Sequence, residues 1–363
     1  MKLTKSFFIG NVPIGGGAPV TIQSMTNTDT RNAESTIMQI KALAMAHCDI
    51  VRVSVYDDEC ITALPEIVAA SPVPLVADIH YRSDLAIKAM ECGISKVRIN
   101  PGNIGNEEKI KRVVDCAKSH NVPIRIGVNS GSVEKHILAR DGGVTPQGMV
   151  DSALAHARLL EQNNFYNIVL SMKASDVRTT FEAYSLASKQ TDYPLHVGVT
   201  EAGLPGAGNI KSAIGIGALL LQGIGDTIRV SLTGDPIPEG IAGLDILKAI
   251  GLRKVNMNIV SCPTCGRTNI AVSEIAIKVE KALKDIKVPL TVAVMGCVVN
   301  GPGEAREADI GIAGGGVCTG THLQEGVLFE KGKTPQKVEG DLATILIEKA
   351  KSIAKQKEKE GYE

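Results

Sequence analysis

From residue 20 to about 250 the chain alternates short β-branched runs with amphipathic segments of helical period. The runs predict strands at residues 20–25, 50–55, 74–79, 96–100, 123–128, 167–172, 194–199 and 227–232. Helical patterns fall between them at 33–46, 83–92, 106–119, 149–162, 177–189, 211–222 and 240–250. Eight strands separated by helices predict an α/β fold, a (β/α)8 TIM barrel, and that number of residues is normal for one. A doubly wound open sheet is the alternative, because periodicity does not report closure. Near Arg253 the rhythm changes. A strand at 255–260, a Cys-bearing turn, a helix at 273–286, a strand at 290–294, a glycine-rich Cys turn, short strands and a basic helix at 340–355 predict a small α+β domain. The expected division is a barrel over 1–252 and a second domain over 253–363.

Composition narrows the function classes. Among 363 residues, 39 Lys+Arg balance 39 Asp+Glu, so the excess positive charge of a general nucleic-acid or membrane-surface binder is missing. Aromatic residues are 3% with no Trp, which argues against base-stacking platforms. No apolar run approaches the ~20 residues of a membrane-spanning helix. The only apolar stretch near the start, Phe7-Phe8-Ile9, is too short for a secretory signal. A soluble cytoplasmic protein is expected, in which eight cysteines do not form a disulfide framework. Cys48, Cys60, Cys92 and Cys116 are scattered and read as ordinary packed thiols. Cys262, Cys265, Cys297 and Cys318 lie among glycine and proline, where chemistry is to be sought.

Four predicted strands repeat one pattern, an arginine between two aliphatics: Val51-Arg52-Val53, Val97-Arg98-Ile99, Ile124-Arg125-Ile126 and Ile228-Arg229-Val230. Alternate residues of a strand face opposite sides, so the guanidiniums share a face that their neighbours avoid. In a barrel that face is the interior or its mouth. Each arginine could pair with an internal acid, but Asp78 and Glu201 are the evident strand-borne acids, and two carboxylates do not neutralise four guanidiniums. A polyanion such as a diphosphate accounts better for the pattern, since the planar fork of arginine matches phosphate oxygens. The strand ends add Asp78, His80, Asn100, Asn129, Lys173, Glu201 and Ser231. Active sites of such barrels lie at the carboxyl ends of the strands. Glycines in the loops 101–105 and 129–132 would let backbone amides approach an anion.

The tail carries Ser261-Cys262-Pro263-Thr264-Cys265-Gly266-Arg267 and, further on, Met295-Gly296-Cys297-Val298-Val299-Asn300-Gly301-Pro302-Gly303-Glu304. A CxxC turn alone allows half a zinc site, a redox dithiol or iron–sulfur ligands. Cys318 and His322 keep a zinc site open. Three thiolates with a fourth ligand, holding an iron–sulfur cluster, fit the distant glycine-rich Cys turn best. On the residues alone, Cys318 is the natural fourth ligand.

The SCPTCGRT and MGCVVNGPGEA motifs, with RINPGNIG and RIGVNSGS upstream, resemble the 4-hydroxy-3-methylbut-2-enyl diphosphate synthases of isoprenoid biosynthesis in their bacterial two-domain form. The resemblance spans essentially the whole chain. It implies a [4Fe-4S] cluster held by Cys262, Cys265, Cys297 and, in place of Cys318, the carboxylate of Glu304. It further implies a diphosphate clamp of Arg52, Arg98, Arg125, Lys173 and Arg229, supported by Asn129, Ser231 and His80. Glu201 would be the proton donor, with Asp78 close by. The implied substrate is 2-C-methyl-D-erythritol 2,4-cyclodiphosphate. The implied partners are flavodoxin or ferredoxin as electron donor and a second copy of the chain in a head-to-tail homodimer. A phosphate-binding barrel with a zinc-stabilised tail and no redox activity is the rival reading.

Overall fold

The computed structural model describes residues 2–100, 104, 106–253, 257–299, 303, 306–315 and 324–361. Two compact units emerge, Met1–Arg253 and Lys254–Glu363. The first opens with a feature that the hydrophobic pattern does not predict, an antiparallel hairpin of β1 (Phe7–Ile9) and β2 (Val12–Ile14). Ile9 and Ile14 pack with Ile50 and Val76 in an apolar cluster of their own. Those two partners stand near the starts of their strands, so the hairpin seals the amino-terminal end of the barrel.

The barrel strands are β3 (Thr21–Met25), β4 (Ile50–Ser54), β5 (Leu75–Asp78), β6 (Lys96–Ile99), β7 (Ile124–Asn129), β8 (Ile168–Lys173), β9 (His196–Val197) and β10 (Thr227–Ile228). They form one parallel sheet in the order β8-β7-β6-β5-β4-β3-β10-β9. A lone parallel bridge between Leu170 and Leu195 joins the two ends of that series, and the Leu170 amide donates to the Pro194 carbonyl at 2.9 Å. The ring therefore closes, and the open-sheet alternative is set aside. β9 and β10 are shorter than the hydrophobic runs suggest, although Arg229 N still donates to Val197 O at 2.9 Å.

Polar residues just ahead of the helices start them. Asn32, Asp57, Asn106, Thr145 and Asp176 each accept a backbone N–H of the first turn that would otherwise lack a partner. The helices lay their apolar stripes on the outer face of the sheet, where one continuous core runs from Val20 to Leu247. A short helix, Lys135–Asp141, follows β7 where no element is predicted, and Ala207–Leu221 starts earlier than its pattern suggests.

The second unit is a five-stranded sheet in the order β11 (Met257–Ser261), β12 (Leu290–Met295), β13 (Ile310–Gly314), β14 (Gln324–Glu330), β15 (Gln336–Gly340). The first three strands are parallel and the last two antiparallel. Helices Val272–Leu283 and Leu342–Lys359 supply the larger apolar core, and a smaller cluster gathers around Ala293, Met295 and Phe329. Among the described residues no helix is long and apolar enough to cross a membrane.

Candidate functional site

Strand alternation puts Arg52, Asp78, Arg98, Arg125, Lys173 and Arg229 on the inward face of the ring, and they line one cavity of about 240 Å³. His80, Asn129 and Ser231 complete the set expected from the sequence. Gly127, Ser171 and Thr200 line it too, and sequence reasoning did not single them out. Glu201 is not part of the lining. It is exposed, one residue beyond Thr200, with φ of 52°, a left-handed conformation that a non-glycine residue adopts at some cost.

The cavity is positively charged and largely buried. Arg125 is 2% exposed, and its Nε and Nη1 have no hydrogen-bond partner among the described residues. Arg98 donates to Asp78 Oδ1 at 3.1 Å, while Arg52 Nε stands 3.8 Å from Asp78 Oδ2. Burial alone would raise the Asp78 carboxyl. Arg52, His80 and Arg98 overcome it and hold the group well below the usual carboxylate range, so it stays ionised at neutral pH. Burial, only partly offset by Asp78, pulls Arg52 down to about 10. Arg125 and Lys173 shift the same way, burial first and the neighbouring cations second. The site resists its own positive charge.

Two groups hold these cations in ways the strand pattern conceals. Glu239, buried on helix Ile237–Ala249, accepts from Arg229 Nε at 3.3 Å, from Ser24 Oγ at 2.6 Å and from the Leu232 amide at 3.0 Å. It, and not Glu201, is the second carboxylate against the arginines. Met25 Sδ lies 3.1 Å and 2.9 Å from Arg52 Nε and Nη2, and 3.8 Å from Arg229 Nη1. Even so, the cavity sets five cationic side chains against Asp78 and Glu239. Two strand glycines make room for them. A Cβ at Gly127 would stand 2.7 Å from Arg98 Nε, and one at Gly198 would stand 2.7 Å from Lys173 Nζ. Such a pocket fits a compact polyanion whose oxygens meet donors from several directions.

In the second unit, Cys262 directly follows β11 and Cys297 follows β12 by one residue. Those strands are parallel neighbours, with Ser261 opposite Val294. The Gly296 amide donates to Cys262 Sγ at 3.1 Å, and the Asn269 amide donates to the Gly296 carbonyl at 3.0 Å, which ties the CxxC turn to the end of β12. Cys265 is exposed, and the Arg267 backbone N–H lowers its thiol below the ordinary range. Cys262, Cys265 and Cys297 are all free thiols. Among the described residues no three such side chains converge to metal-ligating distance. Glu304, Cys318 and His322 lie outside the described residues, as do 101–103 and 105 of the glycine-rich loop.

Fold and site together define a parallel barrel with a buried cationic cavity inside its ring, followed by a thiol-bearing second unit. Comparison with known families narrows this. Residues 4–244 match the GcpE TIM-barrel domain and residues 258–352 the GcpE protein C-terminal domain, so the chain belongs to the GcpE family. Among its relatives is a Caldanaerobacter subterraneus subsp. tengcongensis protein, 58% identical over 92% of either chain. Another, from Clostridium perfringens, is 55% identical over 97% of this chain and 99% of its own. A third, from Maridesulfovibrio salexigens, is 56% identical over 94% of this chain and 93% of its own. All three are named 4-hydroxy-3-methylbut-2-en-1-yl diphosphate synthase (flavodoxin).

Gly127→Ala should displace the Arg98 guanidinium and weaken binding of inorganic pyrophosphate about tenfold, the loss of one charged hydrogen bond, as read by titration calorimetry. Gly217→Ala, whose methyl meets nothing within 4 Å, should leave that affinity unchanged. Equal affinities in the two variants would remove the steric account of Gly127.

Proposed function

We propose that this protein converts 2-C-methyl-D-erythritol 2,4-cyclodiphosphate to (E)-4-hydroxy-3-methylbut-2-enyl diphosphate, the activity for which its relatives are named. The observation that carries the reading is the buried cationic cavity, in which two Arg125 donors have no partner among the described residues. Comparing the two molecules defines the work to be done. One ring C–O bond breaks and its electron pair leaves on the diphosphate. The hydroxyl on the adjacent carbon departs as water with one proton, and two added electrons complete the double bond.

Arg52, Arg98, Arg125, Lys173 and Arg229 hold the diphosphate and stabilise the charge that grows on it as the ring opens. Asn129 and Ser231 supply neutral hydrogen bonds, and His80, on the exposed side of Asp78, meets the ligand at the rim. Asp78 is kept ionised and so serves as the counter-charge that aims Arg52 and Arg98, not as a proton source. Glu201, poised outside the lining on a strained backbone, is the proton donor to the departing hydroxyl.

The donor set of the second unit fits an iron–sulfur cluster. Cys262, Cys265 and Cys297 would hold it with Glu304; the Gly296 main-chain N–H reaches the Cys262 sulfur, and the Arg267 main-chain N–H helps to lower the Cys265 thiol. A [4Fe-4S] cluster there supplies electrons singly, with flavodoxin as the donor that the relatives' names favour over ferredoxin. We further propose a cytoplasmic, head-to-tail homodimer. Ile210, Ile214 and Leu221 on one barrel helix are exposed, as are Ile241, Met38 and Met45 on two others, apolar surface that a second copy could cover.

Protein purified without oxygen should contain about four iron and four sulfide per chain. Cys297→Ser should lose them while the barrel stays folded by circular dichroism. A zinc-loaded, sulfide-free protein, or a fully loaded variant, overturns the cluster assignment. Arg125→Ala should keep its iron and lose about 10–100-fold in kcat/KM for the cyclodiphosphate, and wild-type kinetics would take Arg125 out of the clamp. Light scattering coupled to gel filtration should give twice the chain mass, and a monomer would overturn the dimer.

A further inference from the structure

Beneath the cavity lies a second polar layer that no step above uses. Lys96 stands two residues before Arg98 on β6, so both face the barrel axis, with Val76 opposite Lys96 and Asp78 opposite Arg98 on β5. Lys96 is 0% exposed. Its Nζ donates to Oε1 of Gln23 on β3 at 3.0 Å, and Gln23 Nε2 has no partner among the described residues. The charged groups that act on it are guanidiniums, Arg125 of β7 and Arg52 of β4. From β9 comes His196, buried, with Nδ1 paired to Thr227 of β10 and Nε2 without a partner among the described residues. Lys173 of β8 and Arg229 beyond β10 add cations one layer up, and the Asp78 carboxylate is already taken by Arg52 and Arg98.

A buried ammonium with one neutral acceptor and arginines for neighbours is costly. Arginine keeps its proton, whereas lysine lets its own go when buried. Burial, then Arg125 and Arg52, push the Lys96 ammonium well below the usual lysine range. Lys173 is pushed the same way, but it lines the cavity and meets the ligand directly.

We propose that Lys96 is a proton-switched counter-charge for the anion pocket: a neutral amine in the free protein, and an ammonium once a diphosphate is seated above it. This rests on the reading of the cavity as a cyclic diphosphate site. Each phosphate of the cyclic substrate carries one strongly acidic hydroxyl, so the ligand arrives with two negative charges. Ring opening adds a third on the freed phosphate oxygen. The arriving dianion offsets most of the excess positive charge that keeps a proton off Lys96, so the lysine can then take one from solvent without the free protein having to bury that charge. Binding that takes up one proton weakens as pH rises, by as much as tenfold in Kd per unit.

The test is titration calorimetry of the oxidised protein with the cyclodiphosphate, without an electron donor, in buffers of different ionisation heat near neutral pH. The ligand does not titrate there, so net uptake belongs to the protein. Wild-type protein should take up on the order of one proton per ligand, and Lys96→Met should lose most of that uptake together with the pH dependence of Kd. Equal uptake in both assigns the proton to Lys173 or His80 and overturns the proposal. If Lys96→Met fails to fold, Gln23→Leu keeps the lysine and removes its acceptor. The midpoint of uptake should then move to lower pH, and an unmoved midpoint overturns the proposal. Binding with no uptake defeats this inference alone, whereas no binding at all defeats the site reading as well.

Discussion

Positive charge buried inside the ring of barrel strands, without enough negative charge to match it, is the constraint to which the rest of the structure answers. Five cations share Asp78 and Glu239. At an effective dielectric of about 20, two like charges 4 Å apart repel by about 4 kcal/mol. The surroundings are built to soften that repulsion. Met25 offers a polarisable sulfur to two guanidiniums, and Gly127 and Gly198 leave out methyls that would collide with Arg98, and with the Arg229 carbonyl and Lys173, respectively.

What supports this interior is the opposite face of the same strands. Every arginine that points inward is flanked by aliphatics that point outward into the helix layer, where burial is nearly complete. That shell supplies the hydrophobic stabilisation, at roughly 25 cal/mol per Å², while the interior keeps the polar atoms it does not pair. Thr21 Oγ1, Gln23 Nε2, His196 Nε2 and Arg125 Nε are such atoms. Stability lives between sheet and helices, and chemistry lives inside the ring.

The arginines were legible because a strand has a period of two, and a charge between two β-branched residues has only one face to take. Closure was not legible, since the bridge from Leu170 to Leu195 depends on distance and not on pattern. Glu239 stayed hidden because a glutamate on an amphipathic helix reads as a solvated one, and its contacts to Ser24 and Arg229 exist only once the ring has closed. Gly127 and Gly198 did carry a signal. A glycine inside a β-branched run, two positions after an inward residue in the case of Gly127, marks a close approach. The hairpin at Phe7–Ile14 escaped because strands of three residues are too short to show alternation. In the tail, cysteine spacing singled out Cys262, Cys265 and Cys297 as candidate ligands, but spacing does not encode the loop path on which a fourth ligand depends.

Glu239 has one more consequence, for the order in which the molecule comes into being. Its carboxylate joins Ser24 of the first barrel strand to Arg229 and Leu232 beside the last, bridging a separation of 215 residues in the chain. A nascent chain therefore has most of its guanidiniums in place on β4 to β7 long before the group that tethers the last of them leaves the ribosome. Until then Asp78 is the carboxylate available to Arg52 and Arg98. The final strand–helix pair does more than complete a circle. By holding Ser24 and Arg229 at once, Glu239 fastens the first and last barrel strands through side chains as well as through their backbone ladder.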